Sequence, residues 1–250
     1  MTEDKRFGEE GRRLSYGSYL GIDELLALQR TRTGEHDELL FIVVHQAYEL
    51  WFKLLLHELE GARDAMDADE PAVARHRFRR VSAVERLLVA QVEILTTMTP
   101  QDFLAFRTEL APASGFQSVQ FREIEFLSGL KDVAYLDRLE LTDGERARLQ
   151  RRLDEPTLWD AYVGLIARHG GPSLEEIHRD RYAHGELFEL AEALLDHDEA
   201  FALWRTRHVL AVERQIGHKP GTGGSSGSGY LRATVDKRFY PELWAVRDRL

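Results

Sequence analysis

Two histidines are the strongest candidates for chemistry in this sequence because of the residues around them. His45 lies in a dense apolar run, one helical turn after Phe41, so the two side chains share a face. A neutral imidazole among apolar groups is costly unless it finds hydrogen-bond partners. His208 lies in the charged stretch from Trp204 to Val212. The residues alone favour a core histidine bonded to a backbone carbonyl at position 45 and a surface histidine at position 208.

Other patterns that look like catalytic motifs fail on spacing. His57 and Glu58 would begin a zinc-protease motif, but Gly61 stands where its second histidine is required. The glycine-rich run from Gly221 to Gly229 lacks the lysine of a phosphate-binding loop. The basic run from Arg75 to Arg80 is typical of a solvated helix face. None of these three patterns predicts a site.

The composition excludes several classes of function. Among 250 residues, 33 Lys and Arg stand against 43 Asp and Glu, a formal charge of −10, which argues against sequence-independent nucleic-acid binding. The absence of cysteine excludes thiolate nucleophiles, cysteine-bound zinc, iron–sulfur clusters and disulfides. The sequence also shows no tight cluster of Asp, Glu and His. A histidine-ligated haem is therefore the most compatible redox cofactor, since an aromatic-rich helical core can enclose it.

The sequence predicts neither a signal peptide nor a membrane span. Its first residues lack an apolar stretch, and the most apolar segment, from Leu39 to Leu56, is interrupted by His45, Gln46, Glu49 and Lys53. We therefore expect a cytoplasmic enzyme or binding protein with no membrane partner.

The elements that position the candidate residues are predicted to be helices. From Asp37 to Met66 apolar residues are so dense that the helix should be buried nearly all round, at the centre of a bundle. From Pro71 to Met98 they form one stripe at three- and four-residue spacing, which is typical of a surface helix. Thr99 and Pro100 predict the start of a short helix. A last long helix should run from Glu186 to Ile216.

The rest of the chain completes a single helical domain. Capping signals predict further helix starts near Ser114, at Thr142 with Glu145 and at Ser173 with Glu176. The glycine-rich stretch 217–229 has the composition of a linker, but the C-terminal residues after it are too few for a second domain and too aromatic for a tail. We expect it to fold back on the core. No strand pattern or repeat is found, so one all-α domain over residues 1–250 is predicted.

Several separated blocks of the sequence are recognisable together. They are Phe41-Ile-Val-Val-His45-Gln-Ala-Tyr-Glu-Leu-Trp-Phe-Lys53, Phe106-Arg107 with Ser114-Gly-Phe-Gln-Ser-Val-Gln-Phe-Arg122, Trp204-Arg-Thr-Arg-His208-Val, and Gly221-Thr-Gly-Gly-Ser-Ser-Gly227. In this order they resemble the tryptophan 2,3-dioxygenase family. Tyr16-Gly-Ser-Tyr19-Leu20 and Pro241-Glu-Leu-Trp244 also look like family segments. The resemblance covers most of the chain and is weakest over residues 130–188.

The resemblance implies a helical bundle that encloses a b-type haem. His208 would be the proximal ligand of the haem iron, in place of the surface role above, and the other face of the iron would be left for dioxygen. His45 would be the distal histidine, where a neutral imidazole can accept the indole N–H. Phe41 would pack on the indole ring from the same helical face.

The resemblance also implies a set of substrate contacts. Arg107 would hold the substrate carboxylate through its planar guanidinium. Thr222 would meet the amino-acid head group, and the glycines of the 217–229 loop would let the backbone approach and close over the site. Phe103 stands at a substrate position where some members have Tyr, so no hydroxyl contact is implied. The haem pocket would also be lined by Ser114 and Leu110.

Family members are homotetramers in which the N-terminal segment, residues 1–20 here, reaches a neighbour's pocket. Tyr16 and Tyr19 would then lie against the substrate of another subunit, and assembly would complete the site.

The implied activity is oxidative opening of the indole ring. Dioxygen would attack the C2=C3 bond of L-tryptophan and give N-formyl-L-kynurenine, a step of tryptophan catabolism in the kynurenine pathway, with the haem carrying the hard chemistry. One alternative is a haem monooxygenase of the same family that forms an oxindole from a tryptophan derivative. Another is a haem-binding sensor or carrier without turnover.

Overall fold

The computed structural model describes residues 15–223 and 226–250, and within these ranges every regular element is helical. The predicted all-α class is confirmed. The α-helices are α1 Tyr16–Leu20, α2 Ile22–Leu26, α3 His36–Asp67, α4 Pro71–Thr96, α5 Pro100–Arg107, α6 Val119–Ser128, α7 Tyr135–Arg138, α8 Asp143–Asp154, α9 Leu158–Arg168, α10 Leu174–Arg179, α11 Gly185–Ile216, α12 Ser228–Arg232 and α13 Pro241–Ala245. Short 3₁₀ turns occupy Thr108–Leu110, Gly115–Gln117 and Val246–Arg249.

Three long helices form the centre of this domain. α4 packs along both α3 and α11, and α6 and α9 close over the other side of α3. The side chains between them are the largest apolar core, with Leu55, Leu59 and Leu194 fully buried. Burying each such side chain stabilises the fold by roughly 1.5–3 kcal/mol. The predicted bounds of all three long helices agree with the structure to within about two residues.

The prediction that α3 is buried nearly all round is wrong. Leu39, Val43 and Leu50 are 48%, 46% and 52% exposed, because α4, α6 and α9 cover only part of the helix. α3 is also long and apolar enough, by length and composition alone, to cross a bilayer. The core helices of soluble proteins pass the same test, and α3 packs against four other helices, α4, α5, α6 and α9.

Local capping explains where the shorter helices begin. Thr99 and Asp102 form a capping box at the start of α5, and the boxes predicted at Thr142 and Ser173 start α8 and α10. Ser114 caps only the 3₁₀ turn Gly115–Gln117, so the helix expected there begins later, as α6.

The C-terminal segment folds back on the bundle, as expected. Tyr240 is fully buried, and the Asp198 carboxylate of α11 accepts hydrogen bonds from the Tyr240 backbone N–H (3.1 Å) and the Trp244 indole N–H (2.9 Å). The two bonds satisfy one oxygen of a buried carboxylate and fix the last residues against α11.

Candidate active site

A cavity of about 750 Å³ lies between α3, α5, α6, α11 and the glycine-rich loop. Its volume is in the range of sites that hold a cofactor or drug-sized ligand. Eight of the ten residues predicted for the site line it: Phe41, His45, Phe103, Arg107, Leu110, Ser114, His208 and Thr222. These residues come from four separate stretches of the sequence, 41–45, 103–114, 208 and 222, which only the tertiary fold brings together.

The two remaining residues do not reach the cavity of their own chain. Tyr16 and Tyr19 lie on α1 and are 79% and 72% exposed. Residues 1–14 of the N-terminal segment, and 224 and 225 of the loop, lie outside the described residues.

His45 is held in one tautomer by the helix that carries it. Its Nδ1 lies 2.7 Å from the backbone carbonyl oxygen of Phe41, one turn earlier on α3. Because a carbonyl only accepts, Nδ1 carries the proton and Nε2 is an acceptor. Burial lowers the pKa of His45, against the opposing effect of this hydrogen bond and of Glu49. The partner expected from the residues alone is therefore confirmed, and the side chain also lines the cavity.

His208 is not the surface histidine that the residues alone suggest. Its ring stacks on Trp204, with ring centroids 5.0 Å apart and planes 23° apart, and it lines the same cavity as His45. Burial, and then the nearby His45, lower the pKa of His208 to about 4. In the described part of the chain the imidazole has no hydrogen-bond partner. A neutral, half-buried imidazole of this kind is available as a metal ligand.

Three aromatic rings form an apolar wall beside His45. The Phe41 ring stacks on Phe103 at 5.7 Å and meets Phe106 edge-on at 5.8 Å, and it lies 4.0 Å from the His45 ring. Such a wall suits a flat aromatic ligand, since it offers faces and edges but no charge.

The glycine-rich loop covers the cavity through two polar contacts. The Arg107 guanidinium donates to the Pro220 carbonyl, and Thr222 Oγ1 donates to the Ala113 carbonyl at 2.6 Å. Gly223 lies so close to Ser114 that a Cβ there would be 2.6 Å from the Ser114 Cβ. Only a glycine at position 223 therefore lets the loop backbone come this close to Ser114.

The residue patterns did not point to a cationic cluster that also lines the cavity. Arg122 and Arg205 share the carboxylate of Glu125, with N–O distances of 2.5 and 3.0 Å. Two arginines against one glutamate leave a net positive charge in a buried place. The Nε atoms of both arginines and the Trp204 Nε1 are buried and lack a partner among the described residues. Arg122, Trp204 and Arg205 all fall in the recognised blocks, which is the one signal that could have drawn attention to them.

The donors in the cavity fit a haem better than a chelated metal ion. Within residues 15–223 and 226–250 no group of three or more His, Asp or Glu side chains could hold a metal ion. Among the described residues the cavity instead offers one imidazole without a hydrogen bond, apolar walls, and buried N–H groups suited to carboxylates. A haem requires these features: an axial ligand, an enclosing apolar pocket and partners for two acidic side chains.

Comparison with known proteins identifies the family. A model of the family described as tryptophan 2,3-dioxygenase matches residues 2–171 and 165–250. This chain belongs to the tryptophan 2,3-dioxygenase family. The match includes residues 130–188, where the resemblance of the sequence blocks is weakest.

Several relatives named tryptophan 2,3-dioxygenase align with this chain over nearly their whole length. A tryptophan 2,3-dioxygenase of Nocardioides sp. is 52% identical over 260 residues, covering 98% of this chain and 97% of the relative. Those of Herpetosiphon aurantiacus and Caulobacter vibrioides are 46% and 41% identical, over 94% and 95% of this chain and 97% and 98% of theirs. Family membership makes the chain an oxygenase.

Proposed function

We propose that this protein is a haem-dependent dioxygenase that cleaves the indole C2=C3 bond of L-tryptophan with O₂ to give N-formyl-L-kynurenine. One observation carries the proposal. In a chain of this family, a neutral His208, with no hydrogen bond to any described residue, and a neutral His45 of fixed tautomer line the same cavity. We further propose that the enzyme acts in the cytoplasm.

The residues that would hold the haem are those with unused nitrogen atoms in the cavity. His208 would supply the axial ligand, and Arg122, Arg205 and Trp204 have buried N–H groups available for the carboxylates. Ser114 and Leu110 would line the pocket. When bound, the haem supplies the iron that activates dioxygen, and the protein contributes binding, orientation and electrostatics.

The remaining cavity residues suit the amino-acid substrate. Phe41 and Phe103 present ring faces to an indole, and His45 Nε2 can accept the indole N–H. Arg107 can hold the α-carboxylate, and Thr222 can meet the head group. Holding C2 and C3 in one orientation accelerates the reaction without a strong acid or base.

The loop would exclude water once the substrate is in place. Two hydrogen bonds join the loop to the rim of the cavity: Arg107 donates to the Pro220 carbonyl, and Thr222 donates to the Ala113 carbonyl. A closed loop strengthens the charge-assisted contact of Arg107, because electrostatic interactions grow as water is removed.

We also propose a homotetramer in which Tyr16 and Tyr19 contact the substrate of a neighbouring subunit. Their exposure supports this, since an isolated subunit gives these large side chains no apolar contact surface. Leu39 and Val43 on the uncovered side of α3 are exposed as well. Native mass spectrometry should show four chains. A monomer at micromolar concentration would contradict the proposed assembly.

The reaction is tested by the mass of the product. Purified, haem-loaded protein is kept reduced and supplied with L-tryptophan and ¹⁸O₂. A dioxygenase adds two labelled oxygen atoms to the product, and the oxindole-forming alternative adds one. A sensor or carrier consumes no substrate. One labelled atom, or no turnover, would overturn the proposed reaction.

A further inference from the structure

Two glutamine side chains join the start of the chain to the helix that carries His45. Gln29 follows α2, and Gln46 is the neighbour of His45 on α3. Gln29 Nε2 donates to Gln46 Oε1 at 2.5 Å and to the Leu25 carbonyl at 3.0 Å. Gln46 Nε2 donates to the Leu28 carbonyl at 3.2 Å. The proposed reaction uses neither amide.

Within one subunit, these hydrogen bonds hold a part of the cavity wall that has few other contacts. Leu25 and Leu28 line the cavity with Phe41 and His45. Yet α2 has five residues and buries none of them, and Leu26 and Leu28 are 69% and 56% exposed. A helix of this length is not stable alone, and here burial of apolar surface contributes little.

Two sets of polar contacts hold different parts of the segment between α2 and α3. At its far end the Glu38 carboxylate accepts the backbone N–H groups of Arg32 and Thr33, at 2.7 and 2.8 Å. That contact fixes the approach to α3 but lies beyond residue 30. Gln29 and Gln46 therefore provide the contact that sets where Leu25 and Leu28 stand relative to His45.

We infer that Gln46 is a positioning residue: with Gln29 it fixes Leu25 and Leu28 in the cavity wall and so sets the space left for the indole ring. Its carbonyl oxygen and its amide nitrogen each have a partner in the 25–29 segment. The role is therefore exerted through that segment. The statement about the indole ring rests on the proposed function.

The test compares Gln46→Met, Gln29→Met and the double variant, because methionine keeps the length of the side chain and removes the amide. The first measurement is amide hydrogen exchange of residues 22–30 in the purified protein. Each single variant should accelerate exchange by about tenfold, because each breaks the Gln29–Gln46 bond, and Gln46→Met, which also loses the bond to the Leu28 carbonyl, by at least as much as Gln29→Met. The double variant should exceed Gln46→Met by no more than about twofold, because the tether is already broken there.

Gln120→Met is the matched control. Gln120 also lines the cavity, but its Nε2 donates to Glu49 on α3, at 2.8 Å from the carboxylate, and among the described residues it makes no hydrogen bond to α2. Exchange of residues 22–30 should stay as in the unmodified protein. Equal acceleration in this variant, or none in Gln46→Met, would overturn the inference.

The second measurement separates positioning from contact with substrate. Gln46→Met and Gln29→Met should raise KM for L-tryptophan alike, by about fivefold with little change in kcat, and should improve the relative use of ring-methylated tryptophans. A raised KM in Gln46→Met without faster exchange of residues 22–30 would instead mean that Gln46 touches the substrate, and would overturn the inference. An unmodified protein that does not oxidise tryptophan would refute the proposed function, while the exchange experiment would still decide the tether.

Discussion

At the scale of single residues, burial makes both cavity histidines neutral, and hydrogen bonding decides how they differ in use. It lowers the pKa of both below the ordinary value, so both imidazoles are neutral near pH 7. His45 has one nitrogen engaged by the Phe41 carbonyl, which leaves Nε2 to accept a hydrogen bond. His208 has neither nitrogen engaged within the described residues. The first arrangement suits recognition of an N–H group, and the second suits ligation of iron.

Arg107 should determine whether the enzyme requires a carboxylate. Replacing Arg107 with Leu removes a charge-assisted contact worth about 1.5–3 kcal/mol. We expect kcat/KM for L-tryptophan to fall about 10- to 100-fold, while kcat/KM for indole-3-ethylamine, which has no carboxylate, changes little. Steady-state rates with the two substrates check this.

Arg207→Leu is the control, because Arg207 pairs with the exposed Glu93 at 2.8 Å, away from the cavity. Equal use of both substrates by the unmodified protein would show that Arg107 does not select for the carboxylate.

The sequence predicts His45 better than His208 for a physical reason. The neighbours of His45 along the chain are apolar, so burial and a carbonyl partner follow from local sequence. His208 lies among the charged residues Arg205 and Arg207, and the cavity that it lines is built with α3, α5 and α6, which are distant in sequence. Only the family resemblance indicated its role. The pairing of Arg122 with Glu125 is a local three-residue spacing, but the sharing of Glu125 with Arg205 spans 80 residues and no local pattern reveals it.

At the scale of elements, the glycine-rich loop needs a backbone conformation that residues other than glycine adopt only with strain. Gly227 has a φ of +64°, and a Cβ there would collide with the Lys219 carbonyl oxygen. Gly227→Ala should therefore displace the loop and raise KM for L-tryptophan about tenfold, since a left-handed non-glycine residue costs roughly 1–2 kcal/mol before any collision. Steady-state kinetics measure it.

Gly229→Ala is the matched control for the loop. Gly229 lies on α12, and its added Cβ would lie 3.6 Å from Ser226 Oγ, an ordinary contact. It should leave KM within about twofold of the unmodified value, because the loop keeps its backbone conformation. Similar kinetics for both variants would refute the argument from backbone conformation.

The turn before α3 should be sensitive to acid. Burial raises the pKa of Glu38, but hydrogen bonds from Thr33 and Arg32 outweigh it, so the net pKa lies below the ordinary value of 4.5. A carboxyl group with a lowered folded-state pKa stabilises the fold above its unfolded pKa, and this stabilisation is lost as the pH falls through the folded value. The amides of Arg32 and Thr33 should thus lose hydrogen-exchange protection below about pH 4.5.

Glu38→Gln should show lower protection of the same amides at neutral pH and little change on acidification. Glu35→Gln is the control, since Glu35 is exposed and its side chain does not cap α3. Protection that is independent of pH in the unmodified protein would contradict the role of the Glu38 carboxylate.

The sequence near a helix predicts where the helix begins and ends, but not which of its sides other helices cover. The capping box of Thr99 and Asp102 lies within four residues, so the sequence predicts the start of α5 correctly. Apolar density predicts α3 but not which side of it is covered, and Leu39 and Val43 are exposed for that reason. The tether between Gln29 and Gln46 spans 17 residues and escapes any local pattern.

At the scale of the whole molecule, one buried polar chain joins three helices. His197 on α11 lies between Ser128 of α6, at 2.8 Å, and Glu85 of α4, at 2.5 Å. All three side chains are at most 2% exposed. Such a network fixes how the three helices pack, because replacing any one of the side chains leaves a buried polar group without a hydrogen-bond partner.

Glu85→Leu should therefore destabilise the protein strongly. Breaking a buried pair by removing one partner costs about 3–5 kcal/mol, and the melting temperature should fall by at least about 6 °C. Glu93→Leu is the control, because Glu93 pairs with Arg207 at the surface, where a pair is worth about 0–1 kcal/mol. Equal melting temperatures for the two variants would show that the buried hydrogen bonds of Ser128, His197 and Glu85 do not hold the bundle together.

The central claim is that His208 binds haem iron while His45 lines the same cavity. The most direct measurement is the Soret absorbance of purified protein supplied with haem, for the unmodified chain, His208→Ala and His45→Ala. The unmodified protein and His45→Ala should both show the band, with impaired turnover in His45→Ala, whereas His208→Ala should show no stable band. A band of normal intensity in His208→Ala, or an unmodified protein that stays colourless, would contradict the account.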